Sequence, residues 1–213
     1  MNPSDECYLG LIYIQHTFND FKDNKIISCV DYFQERNYSQ RHIYTYPYLL
    51  KYYNGTTNHF LEGIFKCVLE VSLFDERPFE HQLFLQIQKS FPLLQKLSLI
   101  NRNQLFKQSN HENENLSIIK YLYLIHLNLI KIHEDYLEQF LLKTKMSLPN
   151  SIFLLTDYQL LKNVIHNITK NETRNNCAKL IDIFFINKSE FHEHLKDYFL
   201  FAKYLDYYNC LFK

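Results

Sequence analysis

The chain has no tryptophan and only three glycines among its 213 residues. Loops that cradle phosphates, and the strained elbows that expose a nucleophile, are built on closely spaced glycines. None of those motifs is present, which argues against nucleotide-dependent and elbow-type hydrolytic chemistry. Neither sign of charge prevails, since 23 basic side chains balance 23 acidic ones. Zero net charge supplies no broad positive field for a phosphate backbone, so nucleic acid is not an expected partner. No apolar run reaches a bilayer span; Lys120, His126 and Lys131 interrupt the best candidate, and no membrane partner is expected. The five cysteines, Cys7, Cys29, Cys67, Cys177 and Cys210, are odd in number and widely spaced. That pattern fits reduced, mostly buried thiols rather than a disulfide framework or a zinc knuckle. The start, MNPSDECY, carries no apolar signal core, so cytoplasm is the expected compartment, with the nucleus as the other option.

What is present is a chain that is 46% hydrophobic and 22% charged, a globular composition, with 17 tyrosines and 18 phenylalanines carrying the aromatic content. The most legible stretch runs from Val71 to Asn101. Val71 and Leu73 alternate as one face of a strand, and Leu97 and Leu99 repeat the device. Between them Phe79, Leu83, Phe84 and Ile87 make the apolar face of a helix that Pro78 is placed to start.

The same frame recurs. Segments opening at Phe65, Phe91, Tyr121 and Phe199 each place inward residues three, six and eight positions later. These are Val68, Val71 and Leu73; Leu94, Leu97 and Leu99; Leu124, Leu127 and Leu129; and Ala202, Leu205 and Tyr207. Weaker copies open at Met146, keeping Ile152 and Leu154, and at Cys177, with Leu180, Ile183 and Phe185. The openings are spaced by roughly 22 to 31 residues, the range of a solenoid. Helices are expected from His133 to Lys143, from an Asp157 cap through His166, and after Ser189. The polar runs Arg102 to Asn115 and Thr169 to Asn176 read as exposed insertions. Upstream, Leu11 to Phe21 suits a helix, Ile26 to Phe33 and Arg41 to Tyr46 suit strands, of either a hairpin or an irregular first repeat, and Asn54-Gly55 marks a turn.

A lone strand-helix unit cannot bury its apolar strand, so the units must stack. The expected fold is therefore an α/β solenoid, a curved parallel sheet with outer helices, over residues 63–213. Residues 1–62 form an irregular N-terminal α/β cap.

The frame Leu94-x-x-Leu97-x-Leu99 and its copy Leu124-x-x-Leu127-x-Leu129 resemble the leucine-rich repeat. More closely, CVLEVSLFDERPFEHQLFLQIQKSFPLLQKLSLIN, LSIIKYLYLIHLNL and TRNNCAKL resemble the C-terminal repeats of F-box/leucine-rich-repeat proteins. That resemblance implies a substrate-recognition part of an SCF-type ubiquitin ligase, whose F-box grips a Skp-type adaptor while the repeats hold the target. No F-box is legible here; a fragment, a truncated gene model and a binder that has lost the ligase link are all compatible with that. Ligase components are expected partners only if an F-box lies upstream. The alternative is a free-standing repeat scaffold unrelated to ubiquitin. The repeat's usual Asn or Cys slot, three residues after the last strand leucine, holds Glu76, Arg102, Ile132, Asp157, Lys188 and Cys210, so irregular turns are expected where the family has a polar ladder.

No catalytic, cofactor or metal site is expected, and the chain is not read as an enzyme. His192 and His194 are two apart on a presumed helix and point in different directions. Cys67 and Cys177 fall near repeat openings without a His partner at a readable spacing. The expected function is recognition of a protein target by the concave face. The residues facing it are Glu70 and Ser72, Lys96 and Ser98, His126 and Asn128, Asp182 and Phe184, then Tyr204 and Asp206. Phe74, Ile100 and Ile130, followed by Leu155, Ile186 and Tyr208, form either an apolar stripe for the partner or a row covered by loops, with near-zero accessibility of Ile100 and Ile130 as the mark of covering.

Overall fold

The computed structural model describes residues 25–46, 48–60, 63–104, 117–168, 170–187 and 193–206. The helix expected at Leu11 to Phe21, the Ser189 cap and most of the insertion at Arg102 to Asn115 lie outside these residues.

Seven strands form one parallel sheet: β3 (Tyr52–Thr56), β4 (Glu70–Phe74), β5 (Lys96–Asn101), β7 (His126–Ile132), β9 (Ile152–Thr156), β10 (Leu180–Phe185) and β11 (Lys203–Asp206). Strand order follows chain order without reversal, so each strand lies beside its successor in the sheet. The sheet thus begins at β3, inside the residues assigned above to the cap. Asn54-Gly55 is not a turn but a bulge within β3, where the pairing to β4 shifts and Gly55 adopts a φ of 71°.

The inward ladder follows the expected register through Val71, Leu97 and Leu127 and continues through Leu154, in place of the expected Ile152, to Ile183. Val71 lies beside Leu97, Leu97 beside Leu127, Leu127 beside Leu154, and Leu154 beside Ile183. All are buried, as are the opening aromatics Phe65, Phe91, Tyr121 and Phe199. Each fully buried Leu, Ile or Phe contributes about 1.5–3 kcal/mol, and no single unit could collect that contribution alone. Helices lie against this ladder: α1 (His81–Ser90), α2 (Glu134–Leu141), α3 (Tyr158–Asn167) and α4 (Lys170–Cys177). Asp157 caps α3 by accepting from the Gln159 and Leu160 amides. A second parallel pair, β6 (Ile119–Lys120) with β8 (Met146–Ser147), buries Ile119 and Met146. The hairpin of β1 (Lys25–Phe33) and β2 (Tyr38–Tyr46) is antiparallel as expected. Its Tyr44 closes the β3 end of the core against Tyr53 and Phe65.

Four expectations need correction. First, α1 starts at His81, three residues after Pro78: Glu80 is extended, and the buried Phe79 donates its amide to the Tyr136 hydroxyl at 2.9 Å instead of entering a helix. Second, the fourth repeat is slid by two. Leu154 and Thr156, not Ile152 and Leu154, stand beside Leu127 and Leu129, and the Thr156 hydroxyl donates to the Leu129 carbonyl at 3.2 Å. Third, in β11 it is Tyr204 that lies beside Ile183 and packs on the core, so Leu205 faces outward beside Phe184. Its ring stacks on Phe185, and its hydroxyl donates to the Leu195 carbonyl, a bond that Leu205 could not make.

Fourth, TKNETRNN is not an exposed insertion. Its residues from Lys170 onward form α4, with Thr173 and Asn176 fully buried. The Asn176 amide donates to the Phe140 and Met146 carbonyls at 3.0 and 2.7 Å and accepts from the Leu148 amide at 3.3 Å. One side chain thus satisfies three backbone groups where the second sheet leaves them without strand partners. Asn176→Leu should cost on the order of 3 kcal/mol, because those groups lose their partners inside the core. A urea unfolding midpoint equal to that of the parent protein would remove Asn176 from this role.

Candidate binding face

Alternation along the strands leaves one face of the sheet open. The register carries outward side chains into two lateral rows. Glu70, Lys96, His126, Phe153, Asp182 and Lys203 make the first, and Ser72, Ser98, Asn128, Leu155, Phe184 and Leu205 the second. Of the expected concave-face residues, Glu70, Ser72, Lys96, Ser98, His126, Asn128, Asp182 and Phe184 therefore do come together. Tyr204 does not, having turned into the core, and the Asp206 side chain lies outside the described residues.

The face changes character along its length. At the β3–β5 end it is polar and tied to itself: Lys96 pairs with Glu70 at 3.1 Å, and Ser72 accepts from the Gly55 amide while donating to Asn54. That ion pair is half in water and adds little stability. From β7 onward the face turns aromatic and aliphatic. The His126 ring stacks on Phe153 at 5.0 Å, and Phe153 lies 6.5 Å from Phe184. Leu155 and Leu205 flank them, all half-buried. Phe153 is absent from the expected partner-binding positions because the register of the fourth repeat is slid, and Leu155, expected in the apolar stripe, stands instead in the second outward row. The signal for the true register is Thr156, whose hydroxyl fills an inward slot that the apolar pattern assigns to Leu154.

The proposed apolar stripe is not continuous. Phe74 lies under the Arg36 guanidinium, 4.5 Å from its ring centre, and beside Phe33, so the hairpin shields it. Ile100 is 41% exposed, which rejects the reading that loops cover the whole row. Beyond it the β5–β7 pairing shifts and sets Lys131, not Ile130, beside Ile100. Ile130 is half-buried, and Leu155 belongs to the second outward row.

At the C-terminal rim of the sheet a polar ladder does exist, one residue earlier than the slots that Glu76 and Arg102 occupy. Buried Asp75 accepts from the Asn58 and Arg77 amides at 2.9 and 3.0 Å. Buried Asn101 donates to the Arg77 carbonyl at 2.6 Å and accepts from the Asn103 amide at 2.9 Å. Glu76 itself anchors the hairpin, accepting from the Glu35 and Arg36 amides at 2.8 and 3.0 Å. Between β2 and β3 a cleft of about 210 Å³ opens among Arg41, His42, Tyr44, Tyr48, Tyr52 and Tyr53.

No model of a known family, no curated protein and no solved structure matches the chain. No described helix is long and apolar enough to cross a membrane. His192 lies outside the described residues, as does the His194 side chain. His133 is the cap of α2 rather than a first-turn residue, its Nδ1 accepting from the Asp135 amide at 3.4 Å. Cys67 is exposed, whereas burial pushes the Cys177 thiol up to about 12 despite a hydrogen bond with Thr173.

Burial also raises the Tyr136 and Tyr204 hydroxyls to about 12. The folded protein holds these protons after an unfolded chain would release them. Stability from these groups is complete below the free thiol's 9.0 and is lost as pH climbs toward about 12. Urea midpoints measured across that window should fall, and Cys177→Ala should flatten the early part of the fall. Midpoints that stay level would show that these groups titrate alike in both states.

Proposed function

We propose that the seven strands are degenerate leucine-rich repeats and that their open face holds a protein target. The observation that carries this reading is the pair of outward rows, kept in register across six successive strands with no described element laid over the β7–β11 half. A sheet face ending in Phe153, Leu155, Phe184 and Leu205 offers a half-buried apolar centre with a rim of Lys96, Glu70, Asp182 and Lys203. That is the anatomy of a protein-binding surface, with aromatic anchors in the middle and charge at the edge. Mixed signs along the first row favour a protein over a polyanion.

By resemblance, the target is a ubiquitination substrate and the chain is the recognition part of an F-box-type ligase adaptor. The inward frame at Leu94-Leu97-Leu99 and Leu124-Leu127-Leu129 supports the repeat assignment. The ladder of Asp75 and Asn101 stands where such repeats carry their polar residue, displaced by one. Catalysis is not part of the proposal: the face brings no nucleophile and base together.

Affinity capture tests the reading when the parent chain is compared with Phe153→Asp/Phe184→Asp. These side chains are half-exposed on the outward face, so circular dichroism should be unchanged. A specific protein should be captured by the parent and lost by at least about tenfold in the variant, since one buried aromatic anchor carries 2 kcal/mol or more. An identical captured set from both proteins would sink the proposal. Recovery of a Skp-type adaptor by this chain alone would show that it carries a ligase contact of its own.

A further inference from the structure

The opening aromatics do more than fill the core. Phe65, Phe91 and Phe199 each accept, at their carbonyls, from the amide three residues on, at 3.1–3.2 Å. Each such turn packs its first and fourth residues on the core and turns the central two outward. Those central pairs are Lys66-Cys67, Pro92-Leu93 and Leu200-Phe201, and Leu122-Tyr123 occupies the same place between buried Tyr121 and Leu124. Leu49 and Leu50, both exposed, lead into β3 at the same end of the sheet. Leu122 is 72% exposed, Leu49 72% and Phe201 71%.

The turns are aligned. Lys51 accepts at its carbonyl from Leu69 and Glu70, Leu69 from Gln95 and Lys96, and Gln95 from Ile125 and His126. Leu49, Leu50, Leu93, Leu122 and Tyr123 therefore stand along one rim, across four adjacent strands and roughly 15 Å. They project singly from turn tips; they do not line a groove.

The same rim collects positive charge. Lys51, Lys66 and Lys120 are exposed on it. Among the described residues the acids at the strand starts are Glu70, which is held by Lys96, Asp182 on β10 and Asp197. The opposite rim, at the strand ends, is mixed: Asp75, Glu76, Glu134, Asp135 and Asp157 lie there among Arg36, Arg77, Arg102 and Lys131, with Arg36 paired to Glu76 and Arg77 to Asp75. A net charge of zero thus hides a cationic, apolar-tipped stretch of rim at the starts of β3, β4, β5 and β7, whereas charge at the strand ends is mixed.

We propose that the rim of strand-leading turns docks on an anionic lipid-bilayer surface, with Leu49, Leu93, Leu122 and Tyr123 entering the headgroup boundary and the lysines meeting anionic headgroups. Protruding apolar tips flanked by lysines suit a planar, deformable partner, and tyrosine is at home at that depth. A second copy meeting this rim face to face would set lysines against lysines, an unfavourable isologous contact. The open sheet face is left free, so this attachment is independent of target recognition.

Vesicle flotation with the full chain tests it, using phosphatidylcholine alone and phosphatidylcholine with about one-third phosphatidylserine. The protein should float with the anionic vesicles and fall away as salt rises. Leu122→Ser/Tyr123→Ser and Lys66→Glu/Lys120→Glu should each weaken partition by about tenfold or more. Circular dichroism should be unchanged for both, and Phe153→Asp/Phe184→Asp should float as the parent does. Any of three results would overturn the proposal: no flotation, flotation indifferent to phosphatidylserine or to the rim variants, or a rim-dependent oligomer in the absence of vesicles. The last would assign the rim to a protein partner.

Discussion

The structure depends on one constraint: a parallel strand in this chain can bury its inward side chains only between two neighbours of the same kind. Val71, Leu97, Leu127, Leu154 and Ile183 form a single lateral ladder, and each is dry only because the next one covers it. Backbone carbonyls at Lys51, Leu69, Gln95 and Ile125 hold the same alignment at the strand starts. Everything else adapts to that ladder. The helices close its inner side, the tyrosine-rich hairpin closes the β3 end, and Asp75, Asn101 and Asn176 serve the backbone groups that strand pairing leaves over.

Two surfaces follow from this arrangement without further design. Strand alternation sends every second side chain to the open face, and the turn geometry sends a central pair to the rim. The open face grades from polar to aromatic, while the rim combines leucine and tyrosine with lysine. Because the two surfaces share strands but not side chains, a substitution on one leaves the other intact.

Much of the fold was legible because apolar residues at fixed spacing report burial directly. Phe65, Phe91, Tyr121 and Phe199 marked the turns, and the leucine triplets marked the inward faces. Legibility failed where a polar residue did structural work. Asn176 and Thr173 sit fully buried in a segment whose composition spelled solvent exposure, since hydrogen bonding to backbone is invisible to a hydropathy pattern. Thr156 hid the true register of β9 for the same reason, and with it Phe153. Tyr204 replaced Leu205 in the core because its hydroxyl found carbonyl partners that only the folded chain supplies.

From residue spacing alone the chain determines that it is built of strand-turn units, which residues face inward in most of them, and that those units must stack. The tertiary structure alone decided where register slips, which outward residues become neighbours, and that Phe74 lies under Arg36 while Ile100 stays open. It also decided that Lys51, Lys66 and Lys120 gather beside the exposed leucines of one rim. The reason is physical: spacing encodes what one strand does with its own side chains, whereas neighbours across the sheet, and the partners of buried polar groups, are set by contacts between residues far apart in the chain.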